Sequence, residues 1–305
     1  MAANTQVSVN AVDELLFQND SVSLCLLVNR RHRTMRVVDF RAGVTPTKRN
    51  IVIAAAKREG VEKVFTLVER DEVNTWAQLG FRREGSIPGF YKRSDAWVMG
   101  AVVSQVGPVR TAQSVDDDEI DDVEEEPSPA LDKVERILGQ ARKLMKDTAD
   151  KAFPPVKLTP VKLLAASKAV LAADKAKRAI TGFEPFGRGA TRDHVVATGR
   201  GGFELAASLE MMPSFGSSMV EIAAGPKNET ERLLTTSALR ALSNQLAAKG
   251  AVSTFSIAPG GDVALSACYL AAGFRKSAVL LSHVVSAGTR HDATVWSKKL
   301  VAGES

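Results

Sequence analysis

The segment Gly80-Phe81-Arg82, followed by RSDAWV at 93–98, decides the fold, because the chain repeats it roughly 190 residues later. The second copy reads Gly273-Phe274-Arg275 and then RHDATV at 290–295. Each copy follows a helix-like run and opens a strand hairpin. Solenoid repeats are about 20–50 residues long, so a period of this length indicates a duplicated domain instead.

The bulk composition is that of a soluble globular protein. A length of 305 residues favours about two domains, and 45% apolar and 25% charged residues are ordinary for such folds. No stretch reaches the roughly 18 apolar residues of a membrane-spanning helix, and residues 1–10 do not resemble a secretory signal. Two cysteines cannot form a disulfide framework. We therefore expect a cytoplasmic protein without a membrane partner.

Charge is distributed unevenly along the chain. Nine of the eleven residues at 116–126 are acidic, so the remainder carries 40 basic against 26 acidic residues, a net of +14 compared with +5 overall. Such a block is typical of a solvated linker, although it can also attract a basic surface. We place an N-terminal domain at 1–107, an acidic, proline-containing linker at 108–130 and a C-terminal domain at 131–305.

The N-terminal domain alternates strand and helix signals. Strands are predicted at 21–28, 35–40, 61–68 and 96–103. A helix is predicted from Pro46 to Glu59, with Thr45 as its N-cap and Gly60 just beyond its end. This order predicts an α/β domain in which a helical crossover joins a parallel strand pair.

The same order returns after residue 201. Strands are predicted at 203–211, 219–224 and 251–258, helices at 230–249 and 262–272, and a final hairpin at 274–300 that turns at Ala287-Gly288-Thr289. Two basic amphipathic helices are predicted before this repeat, at about 131–145 and 161–180. The predicted fold class is therefore α/β with a mixed sheet, built as two tandem copies.

The basic helices raise a nucleic-acid hypothesis. Residues 133–178 hold twelve lysines or arginines against four acidic residues, but Phe153 is their one aromatic residue. The lack of stacking platforms and the acidic neighbour disfavour nucleic-acid binding. The sequence also has no zinc-ligand spacing, nucleophile elbow or Walker loop, so no metal site is expected.

Both repeated segments resemble the GNAT N-acetyltransferase superfamily, in which a helix ending in Gly-Phe leads into the last hairpin. The amino-acid sequence of these segments is similar to that of the bacterial beta-lysine N-acetyltransferases. Their C-terminal pattern is matched by Gly273-Phe274, Leu280-Leu281, Gly288, Asp292 and the ending VWSKKL at 295–300. Their pattern Gly-Phe-x-x-Glu-Gly-x-Ile-x-x-aromatic is matched from Gly80 to Phe90. The resemblance covers about 21–103 and 201–300 and implies two tandem GNAT-like domains.

This resemblance implies acetyl transfer from acetyl-CoA to an amine, with acetyl-CoA or CoA as the cofactor. In that family two parallel strands splay apart, and the backbone of one strand holds the pantetheine arm. The following loop and helix N-terminus bind the pyrophosphate. Carried over to this sequence, the resemblance implies cofactor contacts at Ala223, Ala224, Gly225, Lys227, Asn228, Thr230 and Arg232.

The chain departs from the family's phosphate-loop pattern, Gln/Arg-x-x-Gly-x-Gly/Ala. Glu229 stands at the Gln/Arg position, Arg232 at the first glycine and Leu234 at the last position. The corresponding N-terminal loop at 43–49 also lacks the pattern, and Pro46 removes one of its donors. We therefore expect both phosphate loops to be degenerate. We also expect the N-terminal domain as a whole to be degenerate.

Catalytic residues are also implied by the resemblance. Many members carry a tyrosine four residues before Gly-Phe that protonates the departing thiolate; Tyr269 holds this position, and Trp76 holds it in the N-terminal half. Glu210 and Glu221, on the two strands before the loop, are the candidates for the base that takes the amine proton. His283 shares a strand face with apolar residues, which favours a structural role.

The sequence leaves three alternative hypotheses for the function. The first is an acetyl-CoA-dependent N-acetyltransferase that works from the C-terminal domain on an unidentified amine. The second is a non-catalytic tandem-GNAT scaffold that contacts partner proteins through its basic helices and acidic linker. The third is nucleic-acid binding through residues 133–178.

Overall fold

A computed structural model of the protein describes residues 12–41, 43–106, 129–147, 151–188 and 190–300. The acidic run at 116–126, and with it most of the predicted linker, lies outside these ranges. The described residues form thirteen strands and six α-helices. None of these helices is both long enough and apolar enough to cross a membrane.

The N-terminal half, residues 12–106, contains six strands and two helices. Its strands are β1 (Val12–Gln18), β2 (Ser23–Asn29), β3 (Thr34–Asp39), β4 (Lys63–Val68), β5 (Arg82–Tyr91) and β6 (Ser94–Val102). Helix α1 (Pro46–Arg58) joins β3 to β4, and α2 (Val73–Gln78) joins β4 to β5. Thr45 occupies the predicted N-cap position of α1, but its side chain makes no capping hydrogen bond.

The C-terminal half, residues 129–300, contains the remaining elements. They are α3 (Pro129–Lys146), β7 (Lys157–Val161), α4 (Leu163–Lys175), β8 (Thr191–Gly199), β9 (Phe203–Met212), β10 (Ser217–Ile222), α5 (Glu229–Ala248), β11 (Ser253–Pro259), α6 (Val263–Ala271), β12 (Arg275–Ser286) and β13 (Thr289–Lys299). Ala287 and Gly288 both have positive φ and make the predicted tight turn between β12 and β13.

All thirteen strands belong to one mixed sheet, in the order β1-β2-β3-β4-β6-β5-β12-β13-β11-β10-β9-β8-β7. Strands β1 to β6 and strands β8 to β13 follow the same course. In each set two antiparallel pairs lead into a parallel pair bridged by a helix, and a second helix leads into a hairpin. The parallel pairs are β3 with β4 and β10 with β11. The mixed α/β fold class predicted from the sequence is therefore confirmed.

The two halves meet where β5 pairs antiparallel with β12, through Gly85 and Ala278. A Cβ on Gly85, which has φ +122, would lie 2.6 Å from the Ala278 Cα, so only glycine permits this approach. A buried ion pair of Lys63 with Glu84 lies beside this seam. Glu84 Oε1 also accepts a hydrogen bond from the Leu281 amide of the other half (3.3 Å).

Side chains of the sheet alternate between two faces that build different cores. On the helix side each half has its own core, with Trp76 in the N-terminal one and Trp296 in the C-terminal one. On the opposite, inner face the halves share a single core, to which Phe65 and Phe255 contribute from either side. Because this inner core draws on both halves, they pack as one unit.

The two basic helices lie on opposite faces of the sheet. Helix α3 packs on the helix side, where Val134 and Leu138 enter the C-terminal core. Helix α4 packs on the other face, where Ala166 and Val170 contact Ala206 of β9. The basic residues of the two helices are thus divided between the two faces of the sheet.

The outer strands and the end of α4 differ from the predicted elements. Strands β1, β7 and β8 were not predicted, because their apolar periodicity is weak and β7 contains Pro160, a residue suited to a sheet edge. The helix predicted to run from 161 to 180 begins at Leu163 and ends at Lys175. Lys177 has φ +56, a left-handed conformation that ends the helix, and residues 178–181 after it are extended.

Candidate functional site

The parallel strands of each half diverge before they end. In the C-terminal half the pairing of β10 with β11 stops at Met219 and Phe255, although both strands continue for at least three more residues. In the N-terminal half the pairing of β3 with β4 stops at Val37 and Thr66, again before the strands end. A gap between central parallel strands is the feature that the family resemblance implies for the cofactor arm.

The chain's own backbone occupies the end of β10 in the C-terminal half. Residues 178–181, here named the 178–181 segment, run antiparallel to this strand end. Ala179 forms a β-bridge with Ala224, and the Ile180 amide donates to the Ala223 carbonyl (3.0 Å). Backbone groups that the resemblance assigns to the cofactor are therefore already hydrogen-bonded within the chain.

A carboxylate lies at the start of α5, where the resemblance places the pyrophosphate. Glu231 Oε2 accepts hydrogen bonds from the Lys227 amide (2.9 Å) and the Arg178 guanidinium (3.4 Å). Arg178 also donates to the Gly225 carbonyl, and the Asn228 side chain caps the helix by accepting from the Glu231 amide (2.9 Å). An anion and a cation from the chain itself thus stand where a phosphate and its ligands are expected.

The remaining predicted cofactor contacts face other parts of the chain or solvent. Arg232 is buried and donates to the Leu144 carbonyl at the end of α3 (2.8 Å). Glu229, the residue with the wrong charge for a diphosphate, pairs with Lys151. Thr230 is exposed in the first turn of α5. The structure therefore directs Arg232 toward a helix of the basic segment and not toward the loop.

A lysine closes the corresponding loop of the N-terminal half. The fully buried Lys48 ammonium pairs with Asp39 and donates to the carbonyls of Arg41 (2.8 Å) and Gly43 (2.9 Å). Oxygen atoms therefore point into this loop, whereas a phosphate cradle presents amide N–H groups. The arrangement agrees with the degenerate pattern at 43–49.

A cavity of about 70 Å³ lies on the inner face, where the two halves meet. Its apolar walls include Phe65, Met219 and Ile257. Its polar lining consists mainly of ionisable or hydroxyl side chains, namely His32, Thr34, Arg36, Thr181, Glu184, Glu221 and His283. Because both halves contribute residues, neither half forms this cavity alone.

Glu221 is the predicted site residue that lines this cavity. Its Oε1 accepts a hydrogen bond from Thr181 Oγ1 (2.7 Å), whereas Oε2 is buried and has no hydrogen-bond partner among the described residues. Burial, followed by the charge of Glu184, raises the pKa of Glu221 to about 8. The side chain is therefore mostly protonated at neutral pH.

A tight turn after the 178–181 segment brings a second carboxylate beside Glu221. Thr181 Oγ1 lies 3.4 Å from Glu184 Oε2, which also accepts from the Gly182 amide (2.9 Å). The same Thr181 oxygen accepts from the Phe183 amide (2.9 Å). The turn therefore presents two carboxyl groups on either side of one hydroxyl.

Two imidazoles, those of His32 and His283, also line the cavity. His32 Nδ1 accepts from the Val285 amide (3.0 Å), which fixes the neutral tautomer with its proton on Nε2. His283 packs edge-on against Phe65 (ring centroids 4.8 Å apart), and its Nδ1 is buried without a partner in the described parts of the chain. Burial lowers the pKa of both histidines, so both are neutral at neutral pH.

A bulge in β12 determines where His283 points. Four steps along β12, from Leu280 to Val284, face only two steps along β13. Within the bulge Ser282 adopts φ +48, and its amide donates to Asp292 Oδ1 (2.8 Å). Simple alternation had placed His283 on an apolar strand face, and the bulge changes that phase and directs it to the cavity.

Tyr269 lies in the C-terminal core on the helix side of the sheet. It is fully buried, stacks on Trp296 (centroids 5.2 Å apart, planes 8° apart) and shares a hydrogen bond with Ser256 Oγ (2.6 Å). Burial raises the pKa of its hydroxyl. Tyr269 does not line the cavity that holds Glu221, and its role as a general acid remains a prediction from the resemblance.

Glu210 is buried and fully engaged in holding the loop that follows the 178–181 segment. Its carboxylate accepts from the amides of Phe186 (3.1 Å) and Gly187 (2.6 Å) and pairs with Arg192 (3.0 Å). These contacts are those of a structural carboxylate. Among the described residues, no group of three or more metal-ligating side chains occurs.

Comparisons with known proteins gave only structural neighbours. No protein-family model matches the chain, and no curated protein matches it. It is similar to the ribosomal-protein-S18-alanine N-acetyltransferase from Escherichia coli, with 16% identity and a TM-score of 0.35, over 49% of this chain and 97% of that one. It is also similar to a mutant spermidine N-acetyltransferase from Vibrio cholerae, with 12% identity and a TM-score of 0.39, over 48% of this chain and 94% of that one.

Sequence reasoning missed three cavity residues, Thr181, Glu184 and His32. They lie between regular elements and reach the cavity only because the two halves pack together. One signal was available in the sequence. Aromatic residues make up 6% of the chain, yet Phe183 and Phe186 stand close together in a short loop, which indicates a loop that is buried.

Proposed function

We propose that the chain consists of two tandem GNAT-like domains, 1–107 and 131–305, joined by the acidic linker, and that it serves as a non-catalytic binding protein. The observation that carries this proposal is the closed cofactor path of the C-terminal half. The Ala223 carbonyl is bonded to the Ile180 amide, and Glu231 takes the position of a phosphate. Acetyl-CoA would have to displace both before it could bind.

Shared irregularities of the two hairpins support the duplication. In each hairpin four steps on the first strand face two on the second, at the same distance from the Gly-Phe pair. The residue at the bulge has positive φ in both cases, Gly89 with +64 and Ser282 with +48. An aspartate accepts from its amide in both, Asp95 (2.8 Å) and Asp292 (2.8 Å). Bulges are retained within families, so a common origin explains this agreement.

Calorimetric titration with acetyl-CoA and CoA tests the non-catalytic proposal. We expect no saturable binding to the wild-type chain at millimolar ligand, with adenosine diphosphate as the control for non-specific attraction to the basic surface. The variant Ile180→Pro removes the amide that is bonded to Ala223 and should loosen the 178–181 segment. Micromolar binding of acetyl-CoA by the wild type would refute the proposal.

Acetyl transfer with Glu221 as the base is the second candidate function. It is favoured by the diverging strands β10 and β11 and by the position of Glu221 in a cavity, with a pKa of about 8 that suits a general base. This function requires the 178–181 segment to leave when the cofactor binds. An acetylation assay on a panel of amines tests it, and transfer that falls at least a hundredfold in Glu221→Gln would favour it over the first proposal.

A further inference from the structure

Helix α4 carries a row of side chains that face away from the sheet, here named the α4 stripe: Leu164, Lys168, Leu171 and Lys175. Their spacings of four, three and four residues place them on one face of the helix. Ala166 and Val170 lie on the opposite, buried face. Leu164 is 65% exposed and Leu171 is 40% exposed. The outer face of α4 therefore presents apolar surface to the solvent, and such surface marks a binding region when it is grouped.

The positive charges on and beside the α4 stripe are not neutralised within the described parts of the chain. Four exposed lysines lie there, namely Lys162, Lys168, Lys175 and Lys177. None of the four forms an ion pair with a described residue. The one acidic residue of the helix, Asp174, is already paired with Arg31 (2.7 Å). Four unpaired lysines around two exposed leucines suit a partner segment that is strongly acidic and partly apolar.

The chain itself contains a segment of this chemistry. The acidic run at 116–126 reads DDDEIDDVEEE, with nine acidic residues and two apolar ones, Ile120 and Val123. No basic residue interrupts it. Its carboxylates can pair with the lysines of α4 while Ile120 and Val123 cover the exposed leucines. The acidic run therefore matches the α4 stripe both in charge and in apolar content.

The α4 stripe lies out of reach of much of the acidic run in the same chain. Helix α3 starts at Pro129 on the helix side of the sheet, over β12, where Glu135 pairs with Lys276 (2.7 Å). Helix α4 lies on the other face beneath β9, four strand spacings away, which is about 19 Å along the sheet and about 20 Å through it. Val123 stands six residues before Pro129, and six residues span at most about 22 Å. The second half of the run therefore cannot contact the stripe of its own chain.

We propose that two copies of this chain form a dimer in which the acidic run of each copy binds the α4 stripe of the other. A reciprocal exchange is a closed two-fold arrangement, so both charged surfaces of both copies are paired at once. Each contact is small, and interfaces below about 1,200 Å² are typical of transient complexes, so the dimer is weak and sensitive to salt. This self-association goes beyond the proposed binding function and holds whether or not acetyl-CoA binds.

Analytical ultracentrifugation of the full wild-type chain at several protein concentrations tests the proposal. We expect a concentration-dependent dimer at an ionic strength of about 0.01 M, where charges act over about 30 Å. At about 0.15 M they act over about 8 Å, so we expect the dimer dissociation constant to rise about tenfold or more. A chain that stays monomeric at low salt would overturn the proposal, as would a dimer whose dissociation constant does not change with salt.

Matched charge reversals test whether the α4 stripe is the surface used. The double variant Lys168→Glu with Lys175→Glu changes two exposed side chains, and we expect it to remain monomeric at low salt. The control is Lys57→Glu with Lys92→Glu, which makes the same change in net charge at two exposed lysines of the N-terminal half. The control should dimerise more tightly than the stripe variant by about tenfold or more. Equal dimerisation of the two double variants would overturn the proposal.

A mixing experiment tests whether the exchange is between copies. A second variant reverses the acidic run by changing four of its residues to lysine: Asp121, Asp122, Glu124 and Glu125. Alone, the stripe variant and the run variant should each be monomeric, because like charges then face each other. Mixed in equal amounts they should form a dimer, since each reversed surface meets its complement in the other chain. Absence of this mixed dimer would overturn the proposal, as would binding of the wild type to vesicles of anionic lipid without self-association. The salt series on the wild type does not depend on the folding of any variant.

Discussion

The two halves have the same order of strands, but different groups lie where the parallel strands of each half separate. In the N-terminal half the buried Lys48 ammonium draws three oxygen acceptors into the loop after β3. In the C-terminal half the 178–181 segment pairs with the end of β10, and the Glu231 carboxylate lies at the helix start. The hairpin bulges, by contrast, are built alike. We infer that hydrogen bonds within each hairpin maintain the backbone geometry that the two halves share. The residues near the ends of the parallel strands, by contrast, differ between the halves.

The first residues of β4 and β11 show the same contrast at the seam. Lys63 begins β4 and forms a buried ion pair with Glu84. Ser253 begins β11 and donates from Oγ to the Gly89 carbonyl of the other half (2.8 Å). The Lys63–Glu84 pair lies within the N-terminal half, whereas the Ser253–Gly89 bond joins the two halves.

The largest expected effect on stability comes from removing the lysine of the buried Lys63–Glu84 ion pair. Lys63→Met leaves the Glu84 carboxylate buried without its cation, so we expect the free energy of unfolding to fall by about 3–5 kcal/mol at pH 7. Ser253→Ala should cost about 1 kcal/mol, because it removes one neutral hydrogen bond. Urea unfolding of both variants measures the difference. Equal losses of unfolding free energy in the two variants would show that the ion pair does not stabilise the fold more than the hydrogen bond does.

The second prediction concerns Glu221, whose counterpart in β3 by strand register is the apolar Val38. Its pKa is raised from 4.5 to about 8, so between these values the folded chain holds a proton that the unfolded chain releases. Stability from this group is therefore complete below about pH 4.5 and is lost as pH rises toward 8. We expect the free energy of unfolding of Glu221→Gln to gain on the order of 3–4 kcal/mol relative to wild type as the pH rises from 5 to 8.

Unfolding of Glu221→Gln and the wild type at several pH values checks this expectation, and Glu204→Gln, which alters an exposed carboxylate on β9, is the control. A difference between Glu221→Gln and wild type that stays constant with pH would mean that Glu221 is ionised in the folded protein.

The third prediction compares the two hairpin bulges. Asp292→Ala removes the acceptor for the Ser282 amide, and Asp95→Ala removes the acceptor for the Gly89 amide. We expect losses of about 1–2 kcal/mol for Asp292→Ala and at most about 1 kcal/mol for Asp95→Ala, because the bond to Asp292 is partly buried and the bond to Asp95 is exposed to water. Thermal unfolding measures both, and a larger loss from Asp95→Ala would contradict the account.

The smallest expected effect is at the aromatic position shared by both halves. Trp76 packs edge-on against Phe81 (centroids 4.9 Å apart) and Tyr269 against Phe274 (5.3 Å). Tyr269→Phe removes only the hydroxyl bonded to Ser256, so we expect the free energy of unfolding to fall by about 1 kcal/mol in urea unfolding. A loss above about 3 kcal/mol would show that the hydroxyl does more than bond Ser256.

The sequence predicted the repeated part of the fold well. Helix α1 could be located from Pro46 and Gly60, because each residue favours one end of a helix. The turn at Ala287 and Gly288 was located because glycine accepts positive φ, which a two-residue hairpin requires. The strand runs of both halves were found because their apolar residues are continuous or alternate.

The site was less predictable, because it depends on local irregularities and on contacts between the halves. An alanine-rich stretch from 161 to 180 has the composition of a helix, and nothing local shows that the chain turns at Lys177 and pairs with β10. Strand alternation gave the wrong face for His283, because this residue lies within a two-residue bulge between Leu280 and Val284. The approach of His32 to Val285 joins residues 253 positions apart, which no local pattern records.

The most direct test of the account is a crystal structure of the chain grown with millimolar acetyl-CoA. The account predicts that the Ile180 amide stays bonded to the Ala223 carbonyl and that no cofactor lies between β10 and β11. A structure in which the acetyl-CoA arm lies in that gap, with the 178–181 segment displaced, would contradict it.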